Sequence, residues 1–160
     1  MRALMGWVIA LVIVTAPASA EPGAHIGYRG WGPRVGLSSG PDQIHVGAHM
    51  DFGNFAQNLR FQPNIEMGFG SDRILTTFNL ETAYQFRSTW GAWSPYAGGG
   101  VGLDMVGGDN GRSSDHTDVG ASALGGIERG LSGGDRFFLE TKFGLTHDPD
   151  LKLTVGWIFY

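Results

Sequence analysis

Four groups of residues in this chain have types and spacing that could do chemistry. His45, His49 and Asp51 fall on one parity of a single alternating stretch, and imidazole with carboxylate is a common metal-ligand set. On an extended chain, however, His45 and His49 stand ~13 Å apart, whereas zinc needs each nitrogen at ~2 Å. Hydrogen bonding is their expected role. Asp109, Asn110, Asp115 and Asp118 offer oxygen ligands suited to calcium, but their spacing is not that of an EF-hand loop, so they read as a solvated polar loop. The glycine-rich run Gly98–Gly102 could suggest a nucleotide loop, which would need G-x-G-x-x-G between a strand and a helix. Here the run lies inside an alternating strand. Thr146, His147 and Asp148 could suggest a lipid hydrolase. Adjacent strand residues point to opposite faces, and a triad is defined by geometry rather than adjacency. No catalytic residue, cofactor or metal site is therefore expected.

The elements that carry these groups are strands. Eight stretches alternate apolar with polar, charged or glycine residues, and a period of two means a strand with two unlike faces. They run Pro33–Ser38, Gln43–Gly53, Leu59–Gly70, Ile74–Phe86, Trp93–Val106, Thr117–Leu131, Arg136–Leu145 and Leu151–Tyr160. The third alternates throughout, apart from Pro63, which cannot donate a ladder hydrogen bond and so marks a bulge. Ser39–Asp42, Asn54–Asn58, Ser71–Arg73, Arg87–Ala92, Ser132–Asp135 and Thr146–Asp150 are short connections, and Gly107–His116 is the longest loop. Short connections predict antiparallel pairing of sequence neighbours. An even strand count lets the first meet the last, and closure removes exposed edges.

The bulk properties fit one domain preceded by a leader. Residues 1–20 carry Arg2, the apolar run Gly6–Val14 and Pro17-Ala18-Ser19-Ala20, the features of a cleaved secretory signal. Residues 21–32 read as a periplasmic lead-in and 33–160 as the barrel. Cysteine is absent, so backbone pairing and burial must hold the fold. A net charge of −4 without a basic cluster excludes nucleic acid as a partner.

Alternation alone does not say which face is outside. One face carries Asp51, Arg60, Glu66, Glu81, Asp104, Glu128, Glu140, Lys142 and Lys152, together with Asn64 and Asn79. The same face carries Gly98, Gly100, Gly102, Gly120 and Gly126. Small residues are useful where a narrow barrel interior is crowded, whereas on a solvated exterior they only weaken a strand. On the other face Phe52, Phe61, Tyr84, Phe86, Trp93, Phe137, Trp157 and Phe159 gather at one barrel end, as an aromatic girdle would. The apolar face is therefore expected to meet lipid. The charged face becomes a filled lumen whose residues pair: Asp51 with Arg60, Glu66 with Asn79, and Asn64 with Glu81.

Two segments carry a resemblance. Pro95-Tyr96-Ala97-Gly98-Gly99-Gly100-Val101-Gly102 resembles the Pro-Tyr-x-Gly-x-Gly-x-Gly strand of the small eight-stranded outer-membrane proteins, the group that includes opacity-type proteins and the barrel of outer membrane protein A. Leu153-Thr154-Val155-Gly156-Trp157-Ile158-Phe159-Tyr160 is similar to their terminal strand, which serves as an assembly signal. The likeness covers the mature chain in pattern and these two strands in motif. It implies that Gly156, Trp157, Phe159 and Tyr160 present the chain to the barrel-assembly machinery. The family usually ends on an outward Phe. Here the outward parity falls on Phe159, with Tyr160 one residue beyond.

The sequence thus implies an all-β, closed, up-and-down antiparallel eight-stranded transmembrane β-barrel of the bacterial outer membrane. A lipid-contacting, non-enzymatic monomer is expected, acting in envelope integrity or surface interaction. Two other classes compete with it: a lipid-modifying outer-membrane enzyme using His147, and a soluble periplasmic ligand-binding barrel.

Overall fold

The period-two alternation is built as eight strands: β1 (His25–Ser39), β2 (Gln43–Ala56), β3 (Leu59–Gly70), β4 (Arg73–Gln85), β5 (Ser94–Gly108), β6 (His116–Gly130), β7 (Arg136–Gly144) and β8 (Leu151–Ile158). The computed structural model describes residues 23–40, 42–70, 73–108, 116–146 and 150–160. The leader at 1–20, the loop positions Asp109, Asn110 and Asp115, and His147 and Asp148 lie outside the described residues. Each strand pairs antiparallel with its sequence neighbours, and β1 pairs with β8, so the sheet closes into an up-and-down barrel. The seam runs from Ser39↔Leu151 to Arg34↔Gly156. It continues in reciprocal backbone bonds between Trp31 and Phe159, at 3.1 and 2.8 Å.

One strand is longer than the sequence suggests. β1 begins at His25, so most of the expected lead-in belongs to the barrel wall. Gly27, Gly30 and Gly32 blur the alternation there, and the ladder to β2 supplies what side chains do not: His25 pairs with Asn54 and Ile26 with Gly53. The other strand ends differ from expectation by a few residues.

Pro63 does sit beside a bulge. The β2–β3 register shifts between His49↔Asn64 and Asn54↔Arg60. Gly53, within the bulged segment, has φ 76°, a conformation that side chains resist. The tight β2–β3 connection turns on Asn58 at φ 64°, which asparagine tolerates better than most residues.

The two faces separate cleanly. Outward residues such as Leu37, Val101 and Leu153 are 59%, 53% and 52% exposed, while inward Glu66, Glu81 and Lys142 are 1%, 3% and 3% exposed. The aromatics at the end that carries the β2–β3, β4–β5 and β6–β7 connections touch one another. Phe137 meets Trp93 and Trp157, Phe52 meets Phe61, and Tyr84 meets Phe86. Tyr28 and Trp31 of the longer β1 join them, against Phe52 and Phe159.

Candidate functional site: the barrel lumen

The interior is a stack of side chains supplied by alternate positions of all eight strands. At the end that carries Tyr160, Arg60 reaches across to Glu128, with Nη1 donating to Oε2 at 2.7 Å. The other Glu128 oxygen accepts from Gln85 at 2.9 Å and from Arg136 at 3.1 Å. Asp51 accepts from the Gly53 backbone N–H and from the Tyr160 hydroxyl, both at 2.7 Å. The guanidinium of Arg136 lies 5.2 Å from the centre of the Tyr160 ring. Burial, and the bond to Asp51, hold the Tyr160 hydroxyl above its usual range, so it stays protonated and donates.

Above this cluster lies an apolar layer of Ala83, Tyr96, Leu124, Phe138 and Ile158, each buried. Its two largest rings fill space left by glycines directly across the ladder: Tyr96 opposes Gly126, and Phe138 opposes Gly156. A methyl group built on Gly126 would lie 2.5 Å from the Tyr96 ring carbon Cζ, and one on Gly156 would lie 2.5 Å from Cζ of Phe138. The glycines leave the space that the two rings occupy inside the barrel. A guanidinium caps each ring, Arg60 over Tyr96 at 5.7 Å and Arg34 over Phe138 at 5.8 Å.

Beyond the apolar layer, Arg34 is the hub. It meets Glu66 at 2.9 Å, Glu140 at 2.7 Å and Glu81 at 3.5 Å, and all four side chains are almost wholly buried. Lys152 adds a second cation to Glu66 at 3.0 Å, and Lys142 pairs with Glu81. The second Glu140 oxygen accepts from the Tyr96 hydroxyl at 3.0 Å, which ties this network to the layer below. Asn64 donates to Glu81 at 2.7 Å and accepts from Asn79 at 2.8 Å. His45 Nε2 shares a 3.0 Å hydrogen bond with Thr154, and the His49 ring stands edge-on to Phe138 at 5.1 Å. His45 and His49 therefore take separate partners. Among the described residues, no group of three or more His, Cys, Asp or Glu is assembled for a metal.

The structure brings the expected lumen residues inside but re-pairs some of them. Asn64 does meet Glu81. Asp51 and Arg60 do not bond, because the bulge places Arg60 opposite Asn54 and sends its guanidinium to Glu128. Glu66 lies opposite Thr77 rather than Asn79, and its carboxylate turns to Arg34 and Lys152. Arg34 lies outside the lumen set expected from the sequence, because the short first strand Pro33–Ser38 does not by its own alternation fix a face. The signal was available: Arg34, Gly36 and Ser38 form the non-apolar parity beside Val35 and Leu37. Of the terminal-strand residues, Trp157 and Phe159 face outward at 38% and 42% exposure, whereas Gly156 lies against Phe138 inside.

Among solved structures, the chain is similar to the crystal structure of Neisserial surface protein A (NspA), with TM-score 0.65 and 15% identity, covering 82% of this chain and 94% of that one. It is also similar to the solution NMR structure of a de novo designed protein, TMB2.3, with TM-score 0.49 and 16% identity, covering 83% of this chain and 94% of that one. The first likeness shows a shared eight-stranded barrel fold. No protein-family profile matches the chain, and no curated protein matches it.

Proposed function

We propose that this protein is an integral barrel of a bacterial outer membrane, with the Tyr160 end in the periplasm, and that it serves envelope integrity or surface interaction without catalysis. The observation that carries the reading is the inverted distribution of polarity. Charged groups are sealed inside, while Leu37, Ile44, Val101, Leu103 and Leu153 stand exposed around the wall. Water would penalise so continuous an apolar surface, whereas a bilayer core matches it and also requires the closed backbone ladder seen here. The buried rings of Tyr96 and Phe138, each capped by an arginine of an ion-pair cluster, favour a plugged barrel over a channel. Membrane lipid is then the constant partner, and the outward Trp157 and Phe159 are available to the assembly machinery.

The test is extraction followed by electrophoresis. Carbonate should leave the protein in the membrane fraction, and detergent should release a form whose gel mobility changes on boiling. Release by carbonate alone would overturn the membrane reading. In planar bilayers the purified barrel should carry no steady ion current; a stable open channel would overturn the plugged-lumen reading.

A further inference from the structure

The two ends of the barrel differ in charge. At the end away from Tyr160, the connections Ser39–Asp42, Ser71–Arg73, Gly107–His116 and Thr146–Asp150 contain six aspartates against two arginines. The Tyr160 end carries Arg29, Arg87, Arg129 and Arg136 instead. Arg136 is half-buried and pairs with Glu128. Arg29, Arg87 and Arg129 are exposed, and among the described residues none of the three has an acidic partner. The described acids at that end are already engaged. Asp51 and Glu128 are held in the lumen cluster, and Asp135 accepts from the Tyr160 backbone N–H at 3.3 Å.

Two of these free arginines sit in the aromatic girdle. Glu128 points into the lumen, so its neighbour Arg129 points to the outer wall. Arg129 stands across the ladder from Phe137, whose ring meets Trp93 and Trp157. Reciprocal backbone bonds at 2.8 and 3.3 Å join Trp90 to Trp93 and fix the β4–β5 connection, with Trp90 66% exposed. Arg87 lies in the same connection. Gln85 pairs with Tyr96 and Ser94 with Glu128, so Arg87 and Arg129 flank the start of β5, about 10 Å apart.

We propose that Arg87 and Arg129, with the Trp90–Trp93 turn, form a site for the headgroup of an anionic phospholipid in the periplasmic leaflet. The inference rests on the membrane setting and orientation proposed above. An aromatic girdle lies at headgroup depth, and a guanidinium matches phosphate with two parallel hydrogen bonds. A zwitterionic headgroup brings its own cation, which the arginines repel; an anionic one does not. The aspartates at the other end repel the same lipid, so the preference is confined to one leaflet. Each arginine at an anionic surface strengthens binding about fivefold.

The full chain is folded into phosphatidylcholine vesicles that contain a minor fraction of brominated lipid, either phosphatidylglycerol or phosphatidylcholine. Bromine quenches tryptophan on contact, so Trp90 and Trp93 report on the site. Brominated phosphatidylglycerol should quench several-fold more efficiently than brominated phosphatidylcholine. The excess should be lost in Arg87→Gln/Arg129→Gln, which removes no lumen contact, and mostly kept in Arg29→Gln. Equal quenching by the two lipids, or an excess that survives the double substitution, would overturn the proposal. An excess lost equally in Arg29→Gln would overturn it too, by showing a diffuse field in place of a site. No quenching by either lipid would overturn the membrane reading beneath it. Cysteine is absent from the chain, so Ser132→Cys in the β6–β7 connection reports the leaflet. In intact cells it should resist a membrane-impermeant maleimide, and labelling would overturn the periplasmic assignment.

Discussion

Tyr160 donates its phenolic hydrogen to Asp51 at 2.7 Å, joining the last residue of the sequence to the middle of β2 across the barrel mouth. This gives a role to the one residue that follows the outward Phe159. Its inward parity turns it over the lumen, where Asp51 accepts its hydrogen bond and Arg136 covers its ring. Tyr160→Phe should keep the ring and lose the bond. Because Tyr160 is partly exposed, the expected cost is about 1 kcal/mol, measurable as a lower urea midpoint in detergent or vesicles. An unchanged midpoint would show that the bond contributes nothing net.

Arg34 meets three buried carboxylates, so Arg34→Gln should be among the most damaging single changes. Removing one partner of a buried ionic cluster costs ~3–5 kcal/mol, because the remaining charges stay desolvated. Lys142 and Lys152 still neutralise part of the cluster, which places the expectation at the lower end. Reversible unfolding in lipid vesicles measures it, and a loss below about 1 kcal/mol would refute the hub role.

Gly126→Ala and Gly156→Ala each add a single methyl group, yet both should destabilise the barrel. The methyl would press on the Leu139 carbonyl oxygen and the Tyr96 ring in one case, and mainly on the Phe138 ring in the other. Overpacking of this kind costs ~1–3 kcal/mol. Pairing Gly156→Ala with Phe138→Leu should recover part of the loss, and equal instability of the single and double variants would rule out the ring contact as the cause.

Leu153→Arg places a guanidinium on the outer wall at a position 52% exposed. If that wall meets lipid, a midplane arginine costs ~2–4 kcal/mol, and insertion into vesicles should fall sharply. Normal insertion would mean that water, not lipid, faces Leu153.

The architecture was legible because strand alternation is local. A residue's parity is fixed by its own neighbours, and the glycines beside the charges indicated which face had to be crowded. The lumen membership of Glu66, Glu81, Glu128, Glu140, Lys142 and Lys152 follows from the same rule. The first half of β1 was not legible, since Gly27, Gly30 and Gly32 erase the alternation while the β2 ladder still holds that segment in place.

Partner choice was a different matter. Simple hairpin counting gave Asn64 with Glu81, but a single bulge beside Pro63 redirected Arg60 to Glu128. Closure of β8 on β1 brought Arg34, Glu66, Glu81 and Glu140 into one cluster from four strands. The sequence by itself determined that this chain makes strands with one charged and one apolar face, and that eight of them can close. Only the tertiary structure decided which charge meets which, and that Tyr96 and Phe138 fill the space left by Gly126 and Gly156. The physical reason is that parity is read along one strand, whereas pairing across a lumen depends on register, bulges and closure summed around the whole barrel.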